Sequence, residues 1–219
     1  FLSSLITTKF FMNVGITQRV EFVAANNEYR DSVDQRLIEW VVSAGFTPIP
    51  IPNSILGAPK LKDEHLESWL LKLNIQALIL SGGPDIGKFP KRDNTENCLL
   101  SWADKSSKPV LGICRGMQMM GFWCGVKLCK VDGHVNKKHA LMTSNINISL
   151  PKNVNSFHNL ALKNIPNNFS LLASSSDGTI EAMKHDVLPW EAWMWHPERE
   201  SIFNPCELNR VRSLFNSEK

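Results

Sequence analysis

The 219-residue sequence contains no apolar run approaching the roughly 18 residues that span a bilayer, so a membrane-crossing helix is excluded as its organising element. Charge of one sign is also scarce. The 24 Lys and Arg stand against 21 Asp and Glu, and a margin of three does not make the clustered basic footprint that nucleic acid requires. Cysteine is sparse and odd in number, five in a chain long enough to build its own core, which argues for thiols over a disulfide framework. Cys98, Cys124, Cys129 and Cys206 lack the paired spacing of a zinc knuckle, and no metal or other cofactor is called for. Repeats, low-complexity tracts and linkers rich in Pro, Gly or Ser are missing too. With 43% apolar and 21% charged residues, the composition is that of an ordinary folded domain. The expectation is one domain over residues 12–219, soluble and cytoplasmic, with a homodimer left open. Residues Phe1–Phe11 have no basic cluster and no small-residue cleavage site, so they read as an extension outside the fold, with Met12 as its natural start. A signal or anchor segment is the competing reading.

The first two-thirds of the chain alternates short apolar segments with helical periodicity. Val14–Thr17, Phe46–Ile51, Ala77–Leu80 and Pro109–Ile113 read as strands. Glu28–Ala44 reads as a helix, with Val33, Leu37, Trp40, Val41 and Ala44 on one face and Gly45 ending it. Asp63–Leu73, Asn94–Lys105 and Arg115–Trp123 read as further helices. This alternation predicts an α/β fold, a mostly parallel sheet with helices on both faces. Beyond residue 126 the texture changes. Val126–Val131, Ala140–Leu150, Ser170–Ser174, Thr179–Lys184 and Trp190–Trp195 are strand candidates with little helix between them, which predicts an antiparallel extension, and Pro205–Phe215 closes the chain as a helix.

The strongest chemical signal is Gly112-Ile113-Cys114-Arg115-Gly116, where a buried strand runs directly into a helix. Small residues on both sides permit a sharp strand-to-helix turn that lifts the central side chain above the sheet edge. A sulfur there sits at a helix N-terminus, which favours thiolate. Alone, the motif leaves open a structural cysteine in a tight turn. A nucleophilic thiolate needs a base, and the base an orienting group. Trp195-His196-Pro197-Glu198 supplies both types: in an extended segment His196 and Glu198 point the same way, and Pro197 stiffens the pair. A surface turn is the alternative for that tripeptide. His65 and His185 lie in polar surroundings, and His134 and His139 in a lysine-bearing loop. Ser81-Gly82-Gly83-Pro84-Asp85 leaves a buried strand, and its amides, with that of Arg115, can form an oxyanion hole.

Taken in order, GGPDIG, GICRGMQ, NSFH and HPE resemble the class I glutamine amidotransferase fold, flavodoxin-like in its sheet, and within it the peptidase C26-type hydrolases related to γ-glutamyl-γ-aminobutyrate hydrolase. The resemblance covers about Val14 to Glu198. It implies a Cys114–His196–Glu198 triad, a glutamyl-thioester intermediate, and release of glutamate from a small γ-glutamyl substrate. It further implies Gly83 and Arg115 as oxyanion donors, Gln118 as a ligand of the glutamyl α-amino and α-carboxyl groups, and Asn155, Ser156, Phe157 and His158 as pocket lining. Trp195 stands where this family often has Phe.

The leaving group is a separate question. Asn26–Asp31 is expected at the carboxyl edge of the sheet, where open α/β sheets bind ligands, with Glu28–Asp31 opening a helix. Arg19, the single tyrosine Tyr29, Arg30 and the Arg115 side chain are then candidates to meet an anionic group such as a diphosphate. The run GITQRV…NEYRDSVDQR is similar to the γ-glutamyl-CDP-amidate hydrolases of bacterial capsule phosphoramidate synthesis. Hydrolysis of a γ-glutamyl-polyamine or γ-glutamyl-γ-aminobutyrate, a glutaminase subunit serving a synthetase, and a catalytically silent binding module are the alternatives.

Overall fold

The computed structural model describes residues 12–56, 62–144 and 149–216, so the expected N-terminal extension lies outside the described residues. The chain opens with β1 (Asn13–Thr17), buried from Val14 onward, and continues into a hairpin, β2 (Arg19–Val23) and β3 (Glu28–Ser32). α1 (Gln35–Ser43) follows, capped by Asp34, whose carboxylate accepts from the Arg36 amide at 2.9 Å; its inner face buries Leu37, Trp40 and Val41. Then come β4 (Thr47–Ile51), α2 (Lys62–Lys72), β5 (Ile75–Leu80), α3 (Pro90–Lys105), β6 (Val110–Ile113) and α4 (Arg115–Trp123). The second half is strand-rich: β7 (Leu128–Lys130), β8 (Val135–Ala140), β9 (Met142–Thr143), β10 (Asn153–Phe157), β11 (Leu160–Leu162), β12 (Phe169–Ser174), β13 (Ile180–His185) and β14 (Trp190–Trp193), then α5 (Pro205–Phe215).

Among the described residues, the main sheet has eight strands in the order β4-β1-β5-β6-β14-β13-β12-β9. The first five run parallel, and β13, β12 and β9 extend the sheet antiparallel. This is the mixed α/β architecture that the sequence predicts. Parallel strands covered on both faces should be apolar throughout, and Leu78–Leu80 and Val110–Ile113 are completely or nearly completely buried. The carboxyl ends of β1, β5, β6 and β14 therefore share one edge, and Thr17, Ser81, Cys114 and Met194 emerge there side by side. No helix among the described residues is long and apolar enough to cross a membrane.

Three local expectations are corrected. Glu28–Ser32 is a strand paired with Arg19–Val23, so the helix starts only at Gln35 and its amides do not face Glu28–Asp31. The pairing has Asn27 at its turn in the left-handed region, φ 53°, and none of Glu28–Asp31 offers an apolar side chain for the core. The strand expected at Ala140–Leu150 is instead only the last residue of β8 and the two-residue β9, and Asn145–Ile148 lie outside the described residues. His139 consequently sits on a strand and not in a loop, whereas His134 lies in the loop immediately before it.

Candidate active site

Cys114 occupies the bend between β6 and α4 with φ 50° and ψ −104°, a conformation that non-glycine residues adopt only under constraint from their surroundings. Both flanking glycines are required by close approach. A Cβ at Gly116 would stand 2.0 Å from the Leu80 carbonyl oxygen, and one at Gly112 would stand 2.8 Å from the Gly116 carbonyl carbon. The Cys114 amide donates to the Trp193 carbonyl at 2.7 Å, which ties the bend to β14. Its sulfur lies at the first turn of α4, where the Arg115 amide has no intrahelical acceptor.

His196 arrives from the end of β14. Its backbone is clamped by Asn155, whose Oδ1 accepts the His196 amide at 3.0 Å while Nδ2 donates to the His196 carbonyl at 2.8 Å. His196 Nδ1 and Glu198 Oε1 are 2.6 Å apart, and both side chains are buried. Pro197–Arg199 forms a 3₁₀ turn, so the segment is not extended as its sequence suggests; His196 alone is, and the turn brings Glu198 back beneath the ring. With Nδ1 engaged, the hydrogen bond between His196 and Cys114 uses Nε2. Burial pulls the imidazolium down, but the Glu198 carboxylate, the Cys114 sulfur and hydrogen bonds to both carry the pKa up to about 9. The three side chains thus form one electrostatic unit in which His196 is protonated at neutral pH.

The loop after β5 packs on the same ring: a Cβ at Gly82 would meet His196 Cε1 at 2.5 Å. Gly83 has φ 147°, and a Cβ there would meet Arg92 Nη1 at 2.3 Å. Arg92, buried on α3, donates to the Ser81 carbonyl at 2.7 Å and the Gly82 carbonyl at 3.1 Å. It pairs with Glu96 at 3.0 Å, and Glu96 and Asp93 also hold the Arg115 guanidinium. Sequence reading missed this network, whose one visible signal is the Arg92/Glu96 spacing of four on a helix. It also removes the Arg115 side chain from the candidates for an anionic ligand, since that guanidinium is buried between two carboxylates.

The remaining residues divide sharply. Arg19 lines a crevice of ≈20 Å³ with Gly82, His196, Glu198 and Arg199. Arg30 instead pairs with Glu28 at 2.7 Å on the exposed hairpin and does not join Arg19. Tyr29 borders a different cavity of ≈320 Å³, lined also by Val20, Asn53, Lys88, Phe89 and Lys91. Gln118 donates from Nε2 to the Leu160 carbonyl at 2.9 Å. Phe157 stands edge-on to His196 at 6.0 Å between centroids and carries the Arg199 guanidinium on its face at 4.5 Å. Asn155 serves the His196 backbone, Ser156 donates to the His134 carbonyl at 2.6 Å, and His158 points toward Glu181 on β13. The hydrogen bonds and close contacts of these three side chains direct none of them at Cys114, which departs from the lining expected for all four residues of that segment.

Residues 13–198 match the Peptidase C26 family. The chain belongs to that family. As a Peptidase C26 member it is a glutamine amidotransferase-like amide hydrolase. It is 29% identical over 209 residues to the gamma-glutamyl-CDP-amidate hydrolase of Campylobacter jejuni, covering 90% of this chain and 95% of that one. It is 34% identical over 133 residues to a glutamine-hydrolyzing GMP synthase subunit of Pyrococcus abyssi, covering 58% of this chain and 68% of that one. The glutamine amidotransferase structure from Thermotoga maritima superposes with a TM-score of 0.62 at 17% identity, over 85% of this chain and 76% of that one. The glutamine amidotransferase from Methylobacillus flagellatus gives 0.63 at 14%, over 93% and 75%. At those identities the two structures establish the fold alone.

Proposed function

We propose that this Peptidase C26 protein hydrolyses a γ-glutamyl amide through a Cys114–His196–Glu198 triad, with γ-glutamyl-CDP-amidate as its substrate and cytidine diphosphoramidate as the second product. One observation carries the triad: a buried imidazole, bonded through Nδ1 to Glu198 at 2.6 Å, hydrogen-bonds to the strained Cys114 at the mouth of the sheet. The Cys114 thiolate attacks the γ-carbonyl carbon, and the developing oxyanion is received by the Gly83 and Arg115 amides. His196 Nε2 then gives its proton to the leaving nitrogen, the C–N bond breaks, and a γ-glutamyl thioester remains. Water attacks that thioester, His196 takes the water proton, and glutamate departs as the thiolate is restored.

The choice of leaving group rests on the Campylobacter relative and on what surrounds Arg19. Its neighbour Val20 lines the 320 Å³ cavity in which Tyr29 and Phe89 meet edge-on at 6.3 Å, with Lys88 and Lys91 at the rim. Aromatic faces accept a base and basic side chains accept a diphosphate, so the pair of openings suits a nucleotide better than a cationic polyamine. Small-molecule substrate without nucleic acid, and a cytoplasmic location, belong to the same proposal.

The test compares kcat/KM on γ-glutamyl-CDP-amidate, γ-glutamyl-γ-aminobutyrate and free glutamine, with Cys114→Ala as the blank. The nucleotide substrate is expected to lead by more than tenfold. Arg19→Ala should reduce that lead, whereas Arg30→Ala should leave it unchanged because Arg30 is already paired with Glu28. Preference for glutamine would replace this reading with a glutaminase subunit.

A further inference from the structure

Away from Cys114, three histidines converge on one buried carboxylate oxygen. Glu181 sits in an otherwise apolar stretch of β13, with Ile180, Ala182 and Met183 beside it, and is fully buried. Its Oε1 lies 3.4 Å from His134 Nδ1, 3.3 Å from His139 Nε2 and 3.5 Å from His158 Nε2. None of these four atoms makes a hydrogen bond of normal geometry. His134, His158 and Glu181 are each at least nine-tenths buried, and the His139 side chain, at the rim, is 16% exposed.

The far sides of two rings fix their tautomers. His134 Nε2 lies 2.9 Å from Asp177 Oδ2, and His158 Nδ1 lies 3.1 Å from the Leu160 carbonyl. Carboxylate and carbonyl only accept, so both of those nitrogens carry protons. As neutral imidazoles, His134 and His158 therefore turn bare lone pairs toward a carboxylate. Acceptor faces acceptor at the centre of a buried cluster, an arrangement that a cation resolves. The spacing discriminates between cations. A charge-assisted N–H···O bond closes to roughly 2.7–2.9 Å, shorter than all three gaps. A tetrahedral centre with bonds of roughly 2.0–2.2 Å separates its donors by roughly 3.3–3.5 Å. Nδ1 of His134 bonded inward and Nε2 bonded outward to a carboxylate is also the arrangement by which metal-binding imidazoles are oriented.

We propose that His134, His139 and Glu181 bind one divalent transition metal ion, zinc by the chemistry of two imidazoles and one carboxylate, with His158 beside them against the same carboxylate. Three protein ligands leave the fourth tetrahedral position to water. It would join β8 and the residue just before it to β13, and β8 pairs with β10. β10 carries Asn155, which clamps His196, and the Glu181 carbonyl accepts the Met194 amide at 2.7 Å, two residues before His196. The ion therefore braces the base of the active site without touching the sulfur.

The test uses the full chain with any affinity tag removed, stripped with a chelator, reloaded with zinc chloride and freed of excess. Elemental analysis should give about one zinc per chain, and Tm should rise by roughly 5–10 °C over the stripped protein. His139→Gln, at the accessible rim, should fold yet lose both the zinc and the Tm gain; Glu181→Gln should do the same. Cobalt(II) should give the intense visible absorption of a four-coordinate site in the parent and not in His139→Gln. Equal zinc in parent and His139→Gln, or no retained zinc in the parent, overturns the proposal. Stabilisation by acidification alone, with no metal uptake, would also overturn it, because protons would then hold the cluster together.

Discussion

At the scale of single residues, the environment of His196 is asymmetric. Burial opposes its charge, yet Glu198 on one side and Cys114 on the other hold the proton until pH about 9. The sign of a perturbation follows. The imidazolium is raised by neighbouring negative charge, so removing a charge lets the proton leave at lower pH. Glu198→Gln preserves an oxygen that can accept from Nδ1 but abolishes the carboxylate. The alkaline limb of the kcat/KM profile, which should fall near pH 9 as the leaving-group acid is lost, is expected to move to lower pH. The maximal rate should drop by roughly 10²–10⁴-fold. An alkaline limb that stays in place would mean that Glu198 only packs against the ring.

At the scale of elements, what could be read in the sequence follows from which signals are local. The bend at Cys114 was legible because its requirement is local: two small residues flanking one reactive side chain between an apolar strand and a helix. Leu37, Trp40 and Val41 likewise announced α1. Glu28–Ser32 was misjudged because all five side chains are exposed or only half-buried, so neither period 3.6 nor period 2 leaves a mark; the turn signal in Asn26-Asn27 was the better guide. β8 was illegible for the same reason, its residues Val135–Ala140 being exposed or half-buried. The histidine cluster is assembled from three distant segments, and its one sequence trace is a glutamate among Ile180, Ala182 and Met183. The ion network between α3 and α4 was equally non-local. There Glu96 compensates two buried guanidiniums, Arg92 and Arg115, whose charges overcome burial and hold its carboxyl below the ordinary value. Breaking a buried pair typically costs about 3–5 kcal/mol, so Glu96→Gln should lower the urea midpoint sharply and loosen the Ser81–Gly83 loop that Arg92 fixes. Asp93→Asn, at a partly exposed carboxylate, should cost much less. Equal midpoints for the two variants would refute the asymmetry.

At the scale of the whole molecule, the last helix runs back along the sheet, from Trp195 near its carboxyl edge toward Phe46 at the opposite edge. Phe215 packs on Phe46, Arg212 donates to the Ser43 and Ala44 carbonyls at 2.8 and 3.0 Å, and Arg210 pairs with Glu191 on β14. Glu207 completes this packing: its Oε1 accepts from Trp195 Nε1 at 2.6 Å, and Trp195 stacks on Trp193, which meets Trp40 of α1 edge-on. The helix is thus coupled to the residue preceding His196. Burial raises the Glu207 carboxyl to about 7; the Trp195 hydrogen bond works against this rise, and the charges of Glu200 and Glu198 add to it. In the unfolded chain the same carboxyl ionises near its ordinary value of 4.5. Between those values the folded protein holds a proton that the unfolded chain has released, so this group's contribution to stability is present below pH 4.5 and falls as pH rises toward 7. Glu207→Gln keeps an oxygen for Trp195 and cannot ionise. The parent should therefore lose Tm relative to Glu207→Gln as the pH is raised from 4.5 to 7, by an amount corresponding to about 1–3 kcal/mol, with the difference constant above pH 8. Parallel Tm curves across that window would show that the Glu207 carboxyl titrates alike in the folded and unfolded chain, and that Trp195 is held by packing alone.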